Sequence, residues 1–340
     1  MRLYLAPMEG ITTYVYRNAL EKHYGGIDKY FTPFLTASHI KGRELREVHP
    51  DNNTGINVVP QILTNDSELF VTITEQLVQL GYSEVNLNLG CPSGTVVSKG
   101  RGAGFIGRPE ELDKFLYEIY DRLIGKMKVK GNEEYTGIRI SIKTRIGMEF
   151  ESEWDDILEI YKKYPISELI IHPRLRSDFY SGKVRLDAYK HAKEILGDKM
   201  PLCYNGDIID VESYQDILSE IGMDIEGTKS DNSDAVMIGR GVIRNPELPG
   251  NIKNFREEGR ELLTTALDQK ADRMRLKAFL KEITEGYLEE MAGEKQVVMK
   301  MKELWSYLSL GLGIDKKQLK AIHKATHLSE YKSAVQMILY

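Results

Sequence analysis

The chain has 340 residues, 41% of them hydrophobic, and a formal net charge of −5 at pH 7. It contains two cysteines far apart in the sequence and no apolar run of about 18 residues, which excludes a disulfide-rich domain and a membrane-spanning helix. This length predicts one large domain with a smaller appendage, and we expect a cytoplasmic protein without a signal peptide.

Eight short β-rich runs alternate with helical patterns along most of the chain. The runs are residues 3–6, 29–32, 58–62, 84–88, 138–143, 168–172, 202–205 and 235–238. Helices are predicted between them. One ends at Gly81, a second begins at Pro109, and a third runs from a capping Asp210 to Gly222. This alternation predicts a (β/α)₈ TIM barrel, with a doubly wound open sheet as the alternative. The barrel is favoured because polar residues gather at the ends of the strands, where barrel enzymes build their sites.

The chain changes character in its last quarter. Residues 251–340 have helical patterns throughout and predict a separate bundle of four or five helices, a helical domain after a barrel domain of residues 1–245. From Asn245 onwards there are 16 basic and 14 acidic residues, a net charge of +2 on a body of −7. This asymmetry hints at a polyanionic partner, and ordinary solvated helix faces are the alternative. Two polar, turn-rich segments, 125–137 and 223–234, are predicted to be surface loops on the barrel.

Cys91 lies directly after the fourth predicted strand, in the sequence Gly-Cys-Pro. The glycine loosens the backbone before the cysteine, and the proline fixes it afterwards. A free thiol has a reference pKa of about 8.5, so it is mostly protonated at neutral pH. Such a thiol can act as a general acid, or as a nucleophile where a base lowers its pKa. A buried, inert cysteine is the alternative.

Glycine-containing turns follow the last two predicted strands, within residues 203–208 and 239–241. Glycines allow backbone N–H groups to approach an anion, and barrels often bind phosphate after strands seven and eight. The two turns therefore predict a phosphate cradle with Arg240 as its cationic clamp. Two ordinary turns are the alternative.

Cationic and polar side chains also follow the middle strands. Lys143 and Arg145 are two residues apart at the fifth strand, so alternation puts both side chains on one face. Two cations in a barrel mouth are costly unless an anion lies nearby. The sixth strand ends similarly with His172 and Arg174, and a structural histidine is the alternative for His172. Asn88 can hydrogen-bond an amide-like edge such as that of uracil. The seven histidines are scattered, and no metal site is predicted.

Six motifs occur in order between about residues 3 and 245: LAPMEGITTYVYRNAL, NLNLGCPSGTVVSKGRGAGFIGRPE, IKTRIG, HPRLRSDFYSG, YNGDI and MIGRG. In this order they resemble the tRNA-dihydrouridine synthase family, and Gly-Cys-Pro on the fourth strand makes the set specific. The resemblance implies a barrel that holds FMN, takes reducing equivalents from NADPH and converts specific uridines of tRNA to 5,6-dihydrouridine. It also implies that the helical tail docks the tRNA. We expect a monomer without a metal ion.

The resemblance also implies roles for individual residues. Hydride from flavin N5 would add at uracil C6, and Cys91 would donate the proton to C5. The residues expected to bind the flavin are Pro7, Met8, Glu9, Gln61, Lys143, His172, Asn205, Gly206, Asp207, Gly239 and Arg240. The residues expected to contact the tRNA are Asn88, Lys99, Arg145 and Arg174. Glu9 stands where the family usually has a small residue, so its side chain is expected to point away from the flavin.

Two other functions remain open on the sequence alone. The first is an FMN enzyme with the same barrel that reduces a small enone or a free pyrimidine and has no RNA substrate. A non-catalytic RNA-binding protein would keep the flavin as a relic. The helical tail separates the first of these from a tRNA enzyme, because a small-molecule enzyme does not need it. The Cys91 thiol separates catalysis from binding alone.

Overall fold

The computed structural model describes residues 1–127, 137–223, 234–258 and 270–339. Its strands are β1 (Arg2–Leu5), β2 (Lys29–Phe31), β3 (Val58–Val59), β4 (Gln61–Ile62), β5 (Glu84–Leu89), β6 (Arg139–Arg145), β7 (Leu169–His172), β8 (Leu202–Asn205) and β9 (Ala235–Ile238). The helices of the barrel are α1 (Tyr14–His23), α2 (Gly42–Val48), α3 (Ser67–Gln79), α4 (Gly94–Val97), α5 (Ala103–Ile106), α6 (Pro109–Met127), α7 (Glu153–Tyr161), α8 (Leu186–Leu196), α9 (Val211–Glu220) and α10 (Arg240–Arg244). They are followed by α11 (Leu248–Glu258), α12 (Lys270–Glu290), α13 (Glu294–Gly311), α14 (Lys316–Lys324) and α15 (Leu328–Leu339).

The strands close into a parallel barrel. β1 pairs with β2 and with β9, so the first and last strands are neighbours. β3 and β4 are two halves of one barrel strand on either side of Pro60, which has no N–H to donate. β3 pairs with β2, β4 pairs with β5, and the Pro60 carbonyl accepts a hydrogen bond from the Asn86 N–H at 2.8 Å. The predicted eight-strand barrel is confirmed, and the open doubly wound sheet is wrong because the ring closes through Pro60.

The barrel strands are short, and most of their residues are buried. In β7 and β9 each residue is buried, as expected of parallel strands covered on both faces. All eight predicted runs form strands, with bounds that differ by no more than two residues. The predicted helices are confirmed too. The Asp66 side chain accepts from the Leu69 N–H before α3, and Asp210 and Ser213 form a capping box at the start of α9.

The two predicted surface loops fall mostly outside the described residues. For the segment 125–137, α6 continues to Met127, so a loop beginning at residue 125 is wrong for its first three residues. Of the segment 223–234, only its two end residues are described.

The helices α12 to α15 form the predicted helical tail, which packs directly on the barrel. The Tyr287 hydroxyl lies 3.0 Å from the Thr13 hydroxyl, and Lys300 of α13 donates to the Gly10 carbonyl at 2.8 Å. Gly10 follows β1, so α13 lies beside the end of the barrel where the strands finish. One hydrophobic cluster includes side chains of both parts, and the domain division at residues 245–251 stays a prediction. No helix in the described part of the chain is long and apolar enough to cross a membrane.

Candidate active site

The carboxyl ends of the strands bring the predicted residues together at one end of the barrel, which we call the mouth. Four basic side chains act electrostatically on the His172 imidazole: Lys143, Arg145, Arg174 and Arg240. Two of these charges also act on the Cys91 thiol, which follows β5. Side chains from several strands therefore converge in one site, in the position where barrel enzymes carry out their chemistry.

Four hydrogen bonds hold the backbone around Cys91. The Oδ1 atom of Asn88 accepts from the N–H groups of Gly90 and Cys91, at 3.0 Å each. The Nε atom of Arg145 donates to the Gly90 carbonyl at 2.9 Å, and the Ala103 N–H donates to the Cys91 carbonyl at 3.0 Å. The backbone on both sides of the partly exposed thiol is therefore fixed in place.

Gly102, rather than Gly90, is the glycine that this loop requires. Gly90 has no positive φ, and a Cβ atom there would lie 3.6 Å from its nearest neighbours, which is ordinary contact. Gly102 has a φ of +55°, and a Cβ atom there would lie 2.9 Å from the Cys91 carbonyl oxygen. The sequence suggested a conformational role for Gly90, but the positive φ that requires a glycine is found at Gly102.

Replacing Gly102 with alanine is expected to lower the free energy of unfolding by more than about 1 kcal/mol, because alanine tolerates a positive φ poorly. The Cys91 carbonyl must also move, so we expect faster alkylation of the thiol by iodoacetamide. Chemical denaturation and the alkylation rate measure the two effects. Gly94→Ala is the matched control, because Gly94 begins α4 and an added Cβ would have no neighbour within 4 Å. Equal effects of both substitutions would contradict a special role for Gly102.

The Cys91 thiol is held in its protonated form at neutral pH. Burial raises its pKa above the ordinary value of 9.0. A hydrogen bond from the Ser93 N–H and the positive charges of Arg145 and Lys143 offset only part of this rise. The same charges would stabilise a thiolate after proton loss, so the environment suits a general acid.

Lys143 is a cation without a partner in the described part of the chain. Its Nζ atom makes no hydrogen bond or ion pair there. Burial, with a further contribution from the charge of Arg145, lowers its pKa to about 8. A buried ammonium group without a counter-ion is costly, and an anionic ligand in the mouth would remove that cost.

His172 and Asp207 have opposite electrostatic surroundings. Burial, followed by the nearby positive charges, lowers the pKa of His172 well below 6.5, so its imidazole is neutral at pH 7. Burial alone would raise the pKa of Asp207, but hydrogen bonds and charge from Arg174 and Arg240 outweigh it and lower that pKa. Asp207 accepts from Arg174 at 2.9 and 2.6 Å and from Arg240 at 2.7 Å. This carboxylate therefore holds both arginines at the mouth.

Arg145 and Arg174 are less free than their sequence positions suggest. Both are buried, with 1% and 3% of their surface exposed. Besides its bond to Gly90, Arg145 donates to the carbonyls of Leu175 and Phe179 at 2.8 and 2.7 Å. Arg174 also donates to the Gly182 carbonyl at 2.6 Å. Both guanidinium groups tie neighbouring loops together, and their contact with a substrate stays a prediction.

Gln61 and Asn88 form a buried amide pair beneath the thiol. The Nδ2 atom of Asn88 donates to Oε1 of Gln61 at 2.7 Å. Gln61 is fully buried, and its own Nε2 atom donates further down into the barrel. Only 7% of Asn88 is exposed, so any contact that it makes with a ligand is confined to the floor of the mouth.

The remaining predicted residues lie around the same mouth. Pro7, Met8 and Glu9 follow β1, Asn205 ends β8, Gly206 follows it, Gly239 follows β9, and Lys99 follows α4. The exposed Glu9 carboxylate pairs with Arg43 at 2.7 Å, which gives the side chain a partner other than a ligand. The Asn205 side chain donates to the Met237 carbonyl at 2.8 Å. Lys99 is exposed on the outer part of the Cys91 loop.

Tyr180 is a mouth residue that the sequence reasoning missed. Its ring stacks on His172 with centroids 6.5 Å apart, and the guanidinium groups of Arg145 and Arg240 lie 5.4 and 5.5 Å from its centroid. The sequence did contain a signal for Tyr180, which is an aromatic residue in the RSDFYSG segment after a barrel strand. Loops in that position carry ligand contacts.

Comparisons with known proteins identify the family. The model of the family described as Dihydrouridine synthase (Dus) matches residues 4–337. The chain belongs to the dihydrouridine synthase family. The probable tRNA-dihydrouridine synthase of Staphylococcus aureus (strain Mu50 / ATCC 700699) is 28% identical over 256 residues, 71% of this chain and 68% of that relative. The probable tRNA-dihydrouridine synthase 2 of Bacillus subtilis (strain 168) is 27% identical over 256 residues, 71% of this chain and 69% of that relative.

Among solved structures, DHODH from Eimeria tenella in complex with ferulenol has a TM-score of 0.49 to this member of the family. The two chains are 12% identical, and the match covers 75% of this chain and 80% of the other.

Proposed function

We propose that this chain reduces uridines of tRNA to 5,6-dihydrouridine with FMN held in the barrel mouth. Its family and the names of its curated relatives support the reaction. The observation that carries the proposal is the Cys91 thiol, which is partly exposed at the mouth and protonated at neutral pH. The test is the dihydrouridine content of tRNA from cells with and without the protein. Equal content in both would overturn the proposal.

The charges at the mouth suit an anionic cofactor. Lys143 has no partner in the described residues, and four basic side chains act electrostatically on His172, of which Arg174 and Arg240 pair with the Asp207 carboxylate. We infer that Lys143 lies beside the flavin ring and favours its anionic reduced form. Arg240 and the turns at Gly206 and Gly239 would bind the phosphate. Arg240 supplies most of the attraction, because α10 has only five residues and a correspondingly small dipole.

Replacing Lys143 with methionine is expected to weaken FMN binding at pH 7 about 10- to 100-fold, the value of one charge-assisted contact. In the wild type the lysine pKa of about 8 means that the cation is present below pH 8 and lost above it. The dissociation constant should therefore rise above pH 8, by up to about tenfold per pH unit. Quenching of flavin fluorescence between pH 6.5 and 9.5 measures both effects.

The matched control for this experiment is Lys163→Met, because Lys163 is exposed on the outside of the barrel and pairs with Asp113. It should bind FMN as the wild type does, with the same pH dependence. A Lys143→Met protein that keeps the wild-type affinity and pH slope would refute the assignment of Lys143 to the flavin.

The residues of the mouth divide the reaction between them. FMN bound in the mouth would supply the chemistry of hydride transfer to uracil C6, with NADPH as the reductant. The Cys91 thiol gives its proton to C5, so one S–H bond breaks and one C–H bond forms. The charges of Arg145 and Lys143 stabilise the thiolate, which recovers a proton from water. Arg145 also holds the Gly90 carbonyl and so keeps the thiol at its position.

Two loops at the mouth offer stacking surfaces to unpaired bases. They follow β6 and β7, and the N–H groups of Arg176 and Ser177 join them by donating to the carbonyls of Gly147 and Met148. Of the four most exposed aromatic side chains in the described residues, three belong to these loops: Phe150, Phe179 and Tyr180. Aromatic rings beside cations are the usual platform for bases of single-stranded RNA. A target uridine must leave its stack to reach Cys91, and these rings would hold its neighbours.

The tail supplies the phosphate contacts in this proposal. α14 carries four exposed lysines within nine residues, and none of them has an acidic partner in the part of the chain that the structure describes. They are Lys316, Lys317, Lys320 and Lys324. Three of them are spaced four residues apart and therefore lie on one face of the helix. We also propose a cytoplasmic location, which a tRNA substrate supports, and the monomeric state stays a prediction.

A further inference from the structure

The interior of the barrel contains a chain of buried polar side chains below the mouth. Five residues form this chain, which we call the polar column: Glu84, Ser141, Asn86, Gln61 and Asn88. Each is at most 7% exposed. Barrel interiors are usually filled by branched apolar side chains, and buried polar groups are costly unless they are hydrogen-bonded. The column therefore stands where apolar side chains would normally pack, and a functional role would explain why polar residues occupy these positions.

Alternation along β5 and β6 builds the column. Glu84, Asn86 and Asn88 occupy every second position of β5, so their side chains share the inner face of the barrel. Ser141 lies on the same face of β6, opposite Asn86 in the strand register. Gln61, the first residue of β4, is likewise paired with Asn86. Three neighbouring strands thus place their polar side chains in one line.

Each link of the column is a short hydrogen bond. The Ser141 hydroxyl donates to Oε1 of Glu84 at 3.0 Å, and Nδ2 of Asn86 donates to the Ser141 oxygen at 3.0 Å. Nε2 of Gln61 donates to Oδ1 of Asn86 at 2.7 Å. Nδ2 of Asn88 donates to Oε1 of Gln61 at 2.7 Å, and Oδ1 of Asn88 accepts from the Cys91 backbone at 3.0 Å. The column is therefore continuous from Glu84 to the backbone of Cys91.

The direction of these hydrogen bonds is fixed at both ends. At the mouth, backbone N–H groups can only donate, so Asn88 must present its oxygen to them and its amino group to Gln61. The same argument then passes through Gln61 and Asn86 to Ser141, whose hydroxyl has to donate onwards. Its nearest acceptor is the Glu84 carboxylate, with the Val85 carbonyl at 3.4 Å as a second one. Reversing any one amide would set two donors or two acceptors against each other.

Glu84 itself is anchored at the end of the barrel where the strands begin. Its two carboxylate oxygens lie 3.1 and 3.2 Å from Nζ of the buried Lys29. Lys29 also pairs with Glu168 at 3.1 Å, and the Tyr4 hydroxyl donates to Glu168 at 2.7 Å. This end of the column is therefore an ionic cluster, which holds the Glu84 carboxylate in place for the hydrogen bond from Ser141.

We propose that Ser141 and Asn86 are positioning residues for the Gly90–Cys91 backbone. They orient the amides of Gln61 and Asn88 from inside the barrel and so hold this backbone at the mouth. The assignment concerns the position of the Cys91 thiol, and its importance for turnover rests on the proposed function. The thiol position can be measured without flavin or tRNA, so the two proposals can fail separately.

The experiment is the pH dependence of Cys91 alkylation by iodoacetamide in the unliganded, full-length protein. Cys203 is fully buried in β8, so Cys91 is the cysteine that reacts. Ser141→Ala removes one hydroxyl and leaves the Asn86 amide without its acceptor. The loop should loosen and the thiol should become more exposed, which lets its pKa fall from its raised value towards 9.0. We expect alkylation at pH 7 to accelerate about threefold or more, the change produced by half a pKa unit.

Two substitutions serve as matched controls. Ser141→Thr keeps the hydroxyl and should restore the wild-type profile. Thr144→Val removes a buried hydroxyl from the same strand, but this hydroxyl faces Tyr161 of α7 at 2.9 Å and lies outside the column. It should lose comparable stability and leave the alkylation profile within twofold of the wild type.

A second variant guards against misfolding of Ser141→Ala. Asn86→Leu breaks the column at the next link with a side chain of similar size, and it should accelerate alkylation to the same extent. Because both changes break one chain, the double variant should react no faster than either single variant. Wild-type profiles in Ser141→Ala and Asn86→Leu would overturn the proposal. An equal acceleration in Thr144→Val, or fully additive effects in the double variant, would overturn it as well.

Discussion

Replacing Cys91 with alanine is expected to lower the rate of dihydrouridine formation about 10²- to 10⁴-fold, the usual contribution of a positioned general acid. The substitution removes the S–H group and leaves the four hydrogen bonds of the surrounding backbone intact, because none of them uses the side chain. FMN affinity should change little for the same reason. The measurement is single-turnover formation of dihydrouridine in tRNA taken from cells that lack the protein, with FMN reduced beforehand.

The pH profile identifies the thiol as the proton donor. Because burial raises its pKa above 9.0, the acid form is fully present at neutral pH and is lost only as the pH rises through that higher value. Wild-type turnover at saturating FMN should therefore fall above pH 9, beyond any smaller change near pH 8 that the loss of the Lys143 charge produces. In Cys91→Ala the residual rate should lack this alkaline fall, since no thiol remains to lose its proton.

Cys203→Ala is the matched control for this substitution. Cys203 is buried among Tyr4, Phe31 and Met237, away from the hydrogen bonds of the mouth, so its loss should cost some stability and leave turnover within about twofold. A Cys91→Ala protein with wild-type turnover would remove the thiol from the mechanism. Equal losses in both variants would point to damage to the barrel as a whole.

The barrel could be predicted from the sequence because its signals are local. Short runs of β-forming residues alternate with helical patterns, and polar residues gather near the ends of several strands, such as Asn88, Lys143, His172 and Asn205. The closure at Pro60 could not be predicted in the same way. The segment 58–62 looks like one strand, and only the three-dimensional arrangement shows that its two halves pair with different neighbours, β2 and β5. Register and closure depend on contacts between strands that are distant in the chain.

The composition of the site could be predicted better than its contacts. Alternation along β6 places Lys143 and Arg145 on one face. It cannot show that the lysine has no partner among the described residues, whereas the arginine donates to three carbonyls. The partner of Arg174 is Asp207, 33 residues away in the chain, and no local pattern joins them. Tyr180 was missed because an aromatic residue in a loop has no periodicity to mark it. Residue type predicts chemistry at the mouth, whereas the fold decides which groups are available to a ligand.

Replacing the four lysines of α14 with glutamine is expected to weaken tRNA binding about 100-fold at low salt, because four exposed cations that lack acidic partners in the described residues are available to phosphates. The slope of the logarithm of the binding constant against the logarithm of salt concentration should also fall by about 3. Filter binding or fluorescence anisotropy with tRNA between 50 and 300 mM salt measures both quantities. Alkylation of Cys91 should be unchanged, since α14 is remote from the bonds that hold the thiol.

The matched control replaces four other lysines with glutamine, three of them exposed and the last partly exposed: Lys114, Lys162, Lys163 and Lys190. These lie on helices around the barrel or directly after one, and each has an acidic partner within 3.9 Å. Surface pairs of this kind contribute little to stability, so both quadruple variants should fold with the same net charge. If tRNA binds through the tail, only the α14 variant loses affinity and salt slope. Equal losses in the two variants would mean that net charge alone attracts the RNA, and unchanged binding in both would place the phosphate contacts elsewhere on the protein.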